Sequence, residues 1–362
     1  MKIVKVKTHP PYEILIEEGI FNRLSKELKS NFNFGKIAII TDTTVEKLWG
    51  EKLLEDLKKE KIESYMFSFP PGESSKTMNT VISLARGLLE KNFDRKDLII
   101  ALGGGVVGDV AGFLASIYLR GIPFIQIPTT LLAQVDASVG GKTGVDLPEG
   151  KNLLGTFYQP LKVYIDPLFL HTLPLKEVQN GLVEVIKYGC ILKNKLFTFL
   201  KKKGQNIYHL ESQDLEYIIY ESCFLKAYVV SKDEKESGFR RILNFGHTLG
   251  HALETELNYT IPHGIAVGLG ILAEALISEK LKVAEIRLFE PIKELFSHLN
   301  LPYKFSHLSL EINLENLLQH LSKDKKVWKG KLTIVLLKRI GKAIFYENPP
   351  LEIIKEVLYL LN

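Results

Sequence analysis

Hydrophobic and polar positions follow two different rhythms along the chain. In the first half, short apolar runs alternate with amphipathic stretches. Residues 36–41 (Lys-Ile-Ala-Ile-Ile-Thr) predict a buried strand ending at Asp42, and residues 43–59 carry a helical period. Residues 64–69 predict the next strand, Pro70 to Lys76 a loop, and a helix follows to about Lys91. Residues 97–102 are almost continuously apolar, as in the centre of a parallel sheet, and lead through glycines into a helix and a further strand at 124–127. From about Leu173 long amphipathic patterns take over, at 176–192, 215–231, 250–257 and 267–281, and only a hairpin-like segment at 331–347 interrupts them. The pattern predicts an α/β N-terminal domain, doubly wound and Rossmann-like, over residues 1–166, and a mostly α-helical C-terminal domain over 167–362.

Two apolar stretches test for a membrane span. Residues 98–119 contain five glycines and Asp109, which fits strand, turn and helix better. Residues 265–277 fall short of the ~20 residues a span needs and include Glu274. A soluble protein is expected. The first seven residues alternate apolar and basic side chains like a strand and lack a signal-peptide core. Two cysteines, Cys190 and Cys223, match neither a disulfide framework nor a zinc knuckle, so a cytoplasmic location is expected.

Composition adds mainly exclusions. Of 362 residues, 46% are hydrophobic and 25% charged, and 47 basic against 42 acidic residues give a net charge of +5. That balance suggests neither a nucleic-acid surface nor a membrane surface. Only eight of the basic residues are arginine, so an Arg marks a place where a rigid, bidentate fork is useful.

Chemistry enters with the glycines. Gly103, Gly105 and Gly108 form G-x-G-x-x-G between a buried strand and a helix, where close backbone approach and free N–H groups favour a pyrophosphate. A tight turn without a ligand is the alternative. The acidic residue of the usual dinucleotide fingerprint, ~20 positions on, is missing, because Pro128-Thr129-Thr130 stand there. Asp42, at an earlier strand tip, is the better candidate for a ribose contact. A second run, Asp136 to Thr143, resembles a P-loop, but Asp136 replaces its first glycine and would repel a triphosphate. Lys142 in that run is expected to face an anion.

His247 and His251 are spaced i and i+4, which places both imidazoles on one helical face, and His263 follows twelve residues later. The Glu of H-E-x-x-H is absent, so zinc-protease chemistry is not supported. Glu184 and Lys187 lie one turn apart upstream, and one Glu with two His is a normal catalytic zinc set. Surface histidines are the alternative, since spacing alone cannot bring Glu184 to them.

The motifs occur in one recognisable order. They run Pro71 to Lys76, Gly103 to Phe113, Tyr118-Leu119-Arg120-Gly121, Pro128 to Asp146, Lys151-Asn152 and Glu184-Val185-Ile186-Lys187. Arg240 with Leu243 to Ala252, His263-Gly264 and Asp324-Lys325-Lys326 complete the set. Over most of its length the chain thus resembles the 3-dehydroquinate synthase family of the shikimate pathway, within the sugar phosphate cyclases.

The resemblance implies conversion of 3-deoxy-D-arabino-heptulosonate 7-phosphate (DAHP) to 3-dehydroquinate and phosphate. In that reaction NAD transiently oxidises the C5 hydroxyl, phosphate is eliminated, the ketone is reduced and an aldol step closes the ring. It also implies one divalent metal, zinc or cobalt, on Glu184, His247 and His263. By the same resemblance Lys142, Asn152 and one of Lys325 and Lys326 grip the substrate phosphate. Arg120 adds a charge from the neighbouring subunit of a homodimer. Lys226 and Arg240 hold the substrate carboxylate, and Asp136, Lys187, Asn244 and His251 contact hydroxyls or move protons. For NAD it implies Asp42, Pro71, Gly72, Glu73, Ser74, Ser75, Lys76, Gly104, Gly105, Val106, Val107, Gly108, Asp109, Thr129, Thr130, Lys142 and Lys151. The segment Phe169, Leu170, His171 and Thr172 completes that set. A sister cyclase acting on a substrate without the carboxylate, and a metal-dependent alcohol dehydrogenase, are the rival readings.

Overall fold

A computed structural model describes the backbone of residues 1–327 and 332–362, and the side chains of all of these except 322–327. The chain divides into two compact units. The first comprises Met1–Pro174 with Ser212–Lys235, and the second Leu175–Glu211 with Glu236–Asn362.

The first unit is built on a seven-stranded sheet. In chain order its strands are β1 (Lys2–Val6), β2 (Tyr12–Ile16), β3 (Ile37–Asp42), β4 (Ser64–Phe69), β5 (Leu98–Gly103) and β6 (Phe124–Pro128). A hairpin of β7 (Lys142–Leu147) and β8 (Gly150–Phe157) forms a separate two-stranded sheet, and β9 (Lys162–Ile165) returns to the main one. The spatial order is β1-β2-β9-β6-β5-β3-β4, with β1 antiparallel to β2 and every other pair parallel.

Alternation along β3 explains the double winding. Ala38 and Ile40 enter one core with Ile99, Ala101 and Phe124, while Ile37 and Ile39 enter another with Leu98, Ile100 and Ile125. Successive strand residues point to opposite faces, so a strand apolar at every position must be covered on both. The helices Met78–Glu90 and Gly105–Ile117 supply residues to the first core, and Leu24–Asn31 and Glu51–Lys59 to the second. Strand order reverses between β3 and β5, since the chain runs from β3 outward to β4 and back to β5 on the other side. Ligands of open α/β sheets bind at the carboxyl ends of strands at such a switch point, and Asp42 and Gly103 end these two strands.

The second unit is mostly helical. Leu175–Ile191, His247–Glu256 and His263–Lys280 carry its chemistry, and a hairpin of β10 (Thr333–Arg339) and β11 (Lys342–Glu347) packs beside the last of these. The division expected at 166/167 differs from these units in two ways. The 3-10 turn Pro167–Thr172 stays with the first unit, and so does the helix Ser212–Lys232. That helix packs on β1, β2 and the turn Ala133–Ala137, where Cys223 Sγ donates to the Gln134 carbonyl at 3.1 Å. Its amphipathic period indicates a helix but not which unit receives it. Among the described residues, no helix is long and apolar enough to cross a membrane.

Candidate active site

In the first unit the glycine turn forms where strand gives way to helix: β5 ends at Gly103, and the helix Gly105–Ile117 starts with Gly104 as a cap that offers no side chain. A methyl group at Gly103 would lie 2.6 Å from Val107, and one at Gly104 would lie 3.0 Å from the Thr130 methyl group. Packing therefore disfavours a side chain at Gly103 and leaves little room for one at Gly104, and no side chain caps the first amides of the helix. A helix start of this kind favours an anion.

Lys76 links this turn to its surroundings. It is 4% exposed, and its Nζ lies 2.7 Å from Asp109 Oδ2, 3.8 Å from Glu73 and 2.5 Å from Asn152 Oδ1. Burial opposes the ammonium charge, but the Asp109 and Glu73 carboxylates outweigh it and hold Lys76 above the usual lysine range. Asn152 adopts a left-handed backbone, φ +56°, and its N–H donates to Asp146 Oδ1 at 2.7 Å. Asp146 N–H in turn donates to the Lys76 carbonyl at 2.8 Å. The 70–76 loop and the β7–β8 hairpin are thus tied together. Asp146 carries no expected role although it lies inside a quoted motif; only the fold shows that it bonds across 70 residues.

Asp42 accepts from the amides of Thr44 at 2.8 Å and Val45 at 3.0 Å through Oδ1, so it caps the following helix as well as ending β3. Thr129 is buried and Thr130 Oγ1 accepts from Ala133 N–H at 3.2 Å. Pro71, Gly72 and Ser74 lie on the loop after β4 and Ser75 is buried there; Val106 and Gly108 lie in the first turn of the glycine helix. The side chains of Val107, Phe169 and Leu170 belong to the core, with Phe169 edge-on to Phe21 and Trp49. At these three positions only the backbone can meet a cofactor; His171 and Thr172 are exposed. Lys142 opens strand β7 rather than a helix, which removes the P-loop likeness. Lys151 follows on β8.

Lys226 is buried, 2.7 Å from the Asp136 carbonyl and 2.9 Å from its Oδ2. It belongs to the first unit and Arg240 to the second. Arg120 is exposed in a turn where Leu119 and Arg120 both have positive φ. Lys325 and Lys326 lie outside the residues whose side chains are described.

In the second unit the metal candidates converge. One ring nitrogen from each of His247, His251 and His263 lies within 4.8 Å of the others. His251 therefore joins the cluster geometrically, beyond the expected Glu184, His247 and His263. Glu184 Oε1 lies 3.6 Å from His247 Nε2, is buried, and is not satisfied by any hydrogen bond among the described residues; the same carboxylate pairs with Lys187. The set of three imidazoles and a buried carboxylate oxygen suits zinc or cobalt. Burial first, then the Lys187 ammonium and the other two imidazoles, hold His247 well below the usual histidine range, so its ring is neutral at neutral pH. His263 Nδ1 lies 3.1 Å from Oε2 of Glu254, an acid that sequence reasoning missed. Arg240 is buried, and Asn244 Nδ2 donates to Glu236 Oε1 at 3.4 Å.

Helix packing sets this register. Gly264 N–H donates to Asn180 Oδ1 at 2.6 Å, and a methyl group at Gly264 would lie 2.1 Å from the Asn180 carbonyl. Asn180 precedes Glu184 by one turn, so this contact aligns Glu184 with His263.

Two family models account for most of the chain: 3-dehydroquinate synthase N-terminal over residues 66–180, and 3-dehydroquinate synthase C-terminal over 181–327. A curated 3-dehydroquinate synthase from Thermodesulfovibrio yellowstonii is 44% identical over 334 residues, covering 91% of this chain and 92% of that relative. The chain belongs to the 3-dehydroquinate synthase family. Two solved structures of the wider family share the fold. A 2-deoxy-scyllo-inosose synthase complexed with carbaglucose-6-phosphate, NAD+ and Co2+ has a TM-score of 0.90 at 26% identity, covering all of both chains. A 2-epi-5-epi-valiolone synthase from Streptomyces hygroscopicus subsp. jinggangensis 5008, with NAD+ and Zn2+ bound, has a TM-score of 0.88 at 25% identity and covers 97% of this chain and 96% of that one.

Proposed function

We propose that this chain is a 3-dehydroquinate synthase, an NAD- and metal-dependent carbon–oxygen lyase that converts DAHP to 3-dehydroquinate and phosphate. The observation that carries the reading is the second-unit cluster, three converging imidazoles with a buried carboxylate beside His247, in a chain that matches this family along most of its length. Glu184, His247 and His263 would hold a divalent ion, which would supply positive charge to polarise a substrate oxygen, and bound NAD would supply a hydride acceptor.

The chain's own residues do the rest. The glycine turn, Asp42 and the 70–76 loop bind the dinucleotide, with Lys76 holding that loop to the hairpin. Arg240 grips the substrate carboxylate with a fork that lysine cannot offer. Lys142 neutralises the phosphate and Asn152 orients it. Oxidation at C5 acidifies the C6 proton, so a modest base suffices, a role the substrate's own phosphate can fill. Lys187, Asn244 and His251 steady hydroxyls and move protons.

A homodimer completes the reading, with Arg120 reaching the neighbouring subunit's site. Ile117, Leu119, Leu153, Phe157 and Leu161 expose apolar surface on the segments that flank Arg120. Thr156 Oγ1 bonds Ser116 Oγ at 2.8 Å and seats the hairpin beside the end of the glycine helix. Exposed apolar patches of this kind mark protein interfaces.

Incubation with DAHP and catalytic NAD tests the activity. Phosphate should be released without accumulation of NADH, and a chelator should stop the release. NADH formed in step with substrate loss would support an alcohol dehydrogenase instead. Preference for a sedoheptulose or glucose phosphate would support a sister cyclase.

A further inference from the structure

The helix His263–Lys280 carries a buried acid for which the proposed reaction has no use. Glu274 is fully buried, and its Oε2 accepts the Gly246 N–H at 2.7 Å. Its other oxygen has no hydrogen-bond partner among the described residues. An acid is an expensive way to fill an apolar helix face, so the bond it makes is what distinguishes it from leucine there.

The position of that bond is informative. His263, Val267, Gly270 and Glu274 follow one another at spacings of four, three and four, which places them along one face of the helix. The start of the His247 helix lies on this face. A methyl group at Gly270 would sit 1.9 Å from the Gly246 carbonyl oxygen, and one at Gly250 would sit 3.0 Å from Val267 Cα. Gly246 itself has φ +78°, a left-handed conformation that turns the chain into His247. The amide of that turn lies within the protein, and Glu274 is its acceptor.

We propose that Glu274 is a positioning residue that anchors the Gly246–His247 turn to the His263 helix and so fixes the His247 imidazole for metal binding. The helix then holds the cluster at two points, directly through His263 and indirectly through Glu274. This inference rests on the metal reading of the cluster. Burial pushes the Glu274 carboxyl well above the usual range, so Gln matches both its charge state and its acceptor.

Cobalt titration, followed by the absorption spectrum of the bound ion and by chelator competition, tests the inference on the full chain. Wild-type protein is compared with Glu274→Gln, Glu274→Met and His247→Ala. Groups that orient metal ligands typically contribute ~10–100-fold to affinity. Glu274→Met should lose affinity by about that factor and alter the cobalt spectrum, whereas Glu274→Gln should keep both. A Met variant with wild-type affinity and spectrum, or a Gln variant as impaired as Met, would overturn the inference. Absence of cobalt binding by the wild type, or unaltered binding by His247→Ala, would overturn the metal reading itself. Amide exchange at Gly246 in the wild type needs no variant. The amide should exchange as slowly as the helix interior, and rapid exchange in the folded protein would count against the anchor.

Discussion

His247 and His251 share one turn of helix, yet the reading assigns them different work, and single substitutions should separate them. His247→Ala should lose metal and turnover together. His251→Ala should keep bound metal, measured by elemental analysis, while kcat falls by about 10²–10⁴, the usual contribution of a proton-transfer group. Equal metal loss in both would make His251 a ligand, as its place within 4.8 Å of the other two ring nitrogens allows. The imidazole pair is legible from spacing because the helix repeat fixes it. Glu184 is not, because 63 residues separate it from His247 and only helix packing brings its carboxylate to 3.6 Å. Glu254 and Asp146 were silent for the same reason: an acid on a helix or hairpin carries no mark of the distant group it will bond.

At the scale of elements, the Glu274 anchor has a consequence for stability. Its folded-state pKa lies above that of the unfolded chain, so the native state keeps a proton that the unfolded state releases. Stability contributed by this group is complete below the usual carboxylate range and declines as pH rises through and beyond it. Glu274→Gln has no such titration. Denaturant unfolding of the metal-free protein should find the variant's advantage over wild type growing from acid toward neutral pH, and a constant difference would contradict a protonated, buried Glu274. Strands β3 to β6 and the long helices were legible because their apolar periods are strong. The β7–β8 hairpin was not. Its second strand is largely exposed and both strands contain glycine, since Gly144 and Gly155 cross so closely that a methyl group on either would meet backbone at 2.5 Å or less. Such a pair is specified by contact rather than by alternation.

At the scale of the whole molecule, the activity is proposed to require two copies of the chain. Leu153→Glu with Phe157→Glu places charges on the exposed face of the hairpin, and sedimentation should then show monomers with activity reduced. Mixing Arg120→Ala with His247→Ala protein should restore part of the activity, because one hybrid site carries neither lesion. Active monomers, or no restoration in verified hybrids, would count against Arg120 acting across an interface.

By itself the sequence determined the α/β-then-helical order, the glycine turn and the histidine pair, because each is a local pattern of spacing, apolar period or chain geometry. It also carried the family likeness, through many residue types in one order. Only the tertiary structure decided which unit receives the helix Ser212–Lys232, where Lys76 and Lys226 find their acids, that Glu184 and Glu254 meet the histidine cluster, and that Glu274 meets the turn before His247. Those outcomes depend on helix register and close contacts at glycine, which are set by packing between segments far apart in the chain.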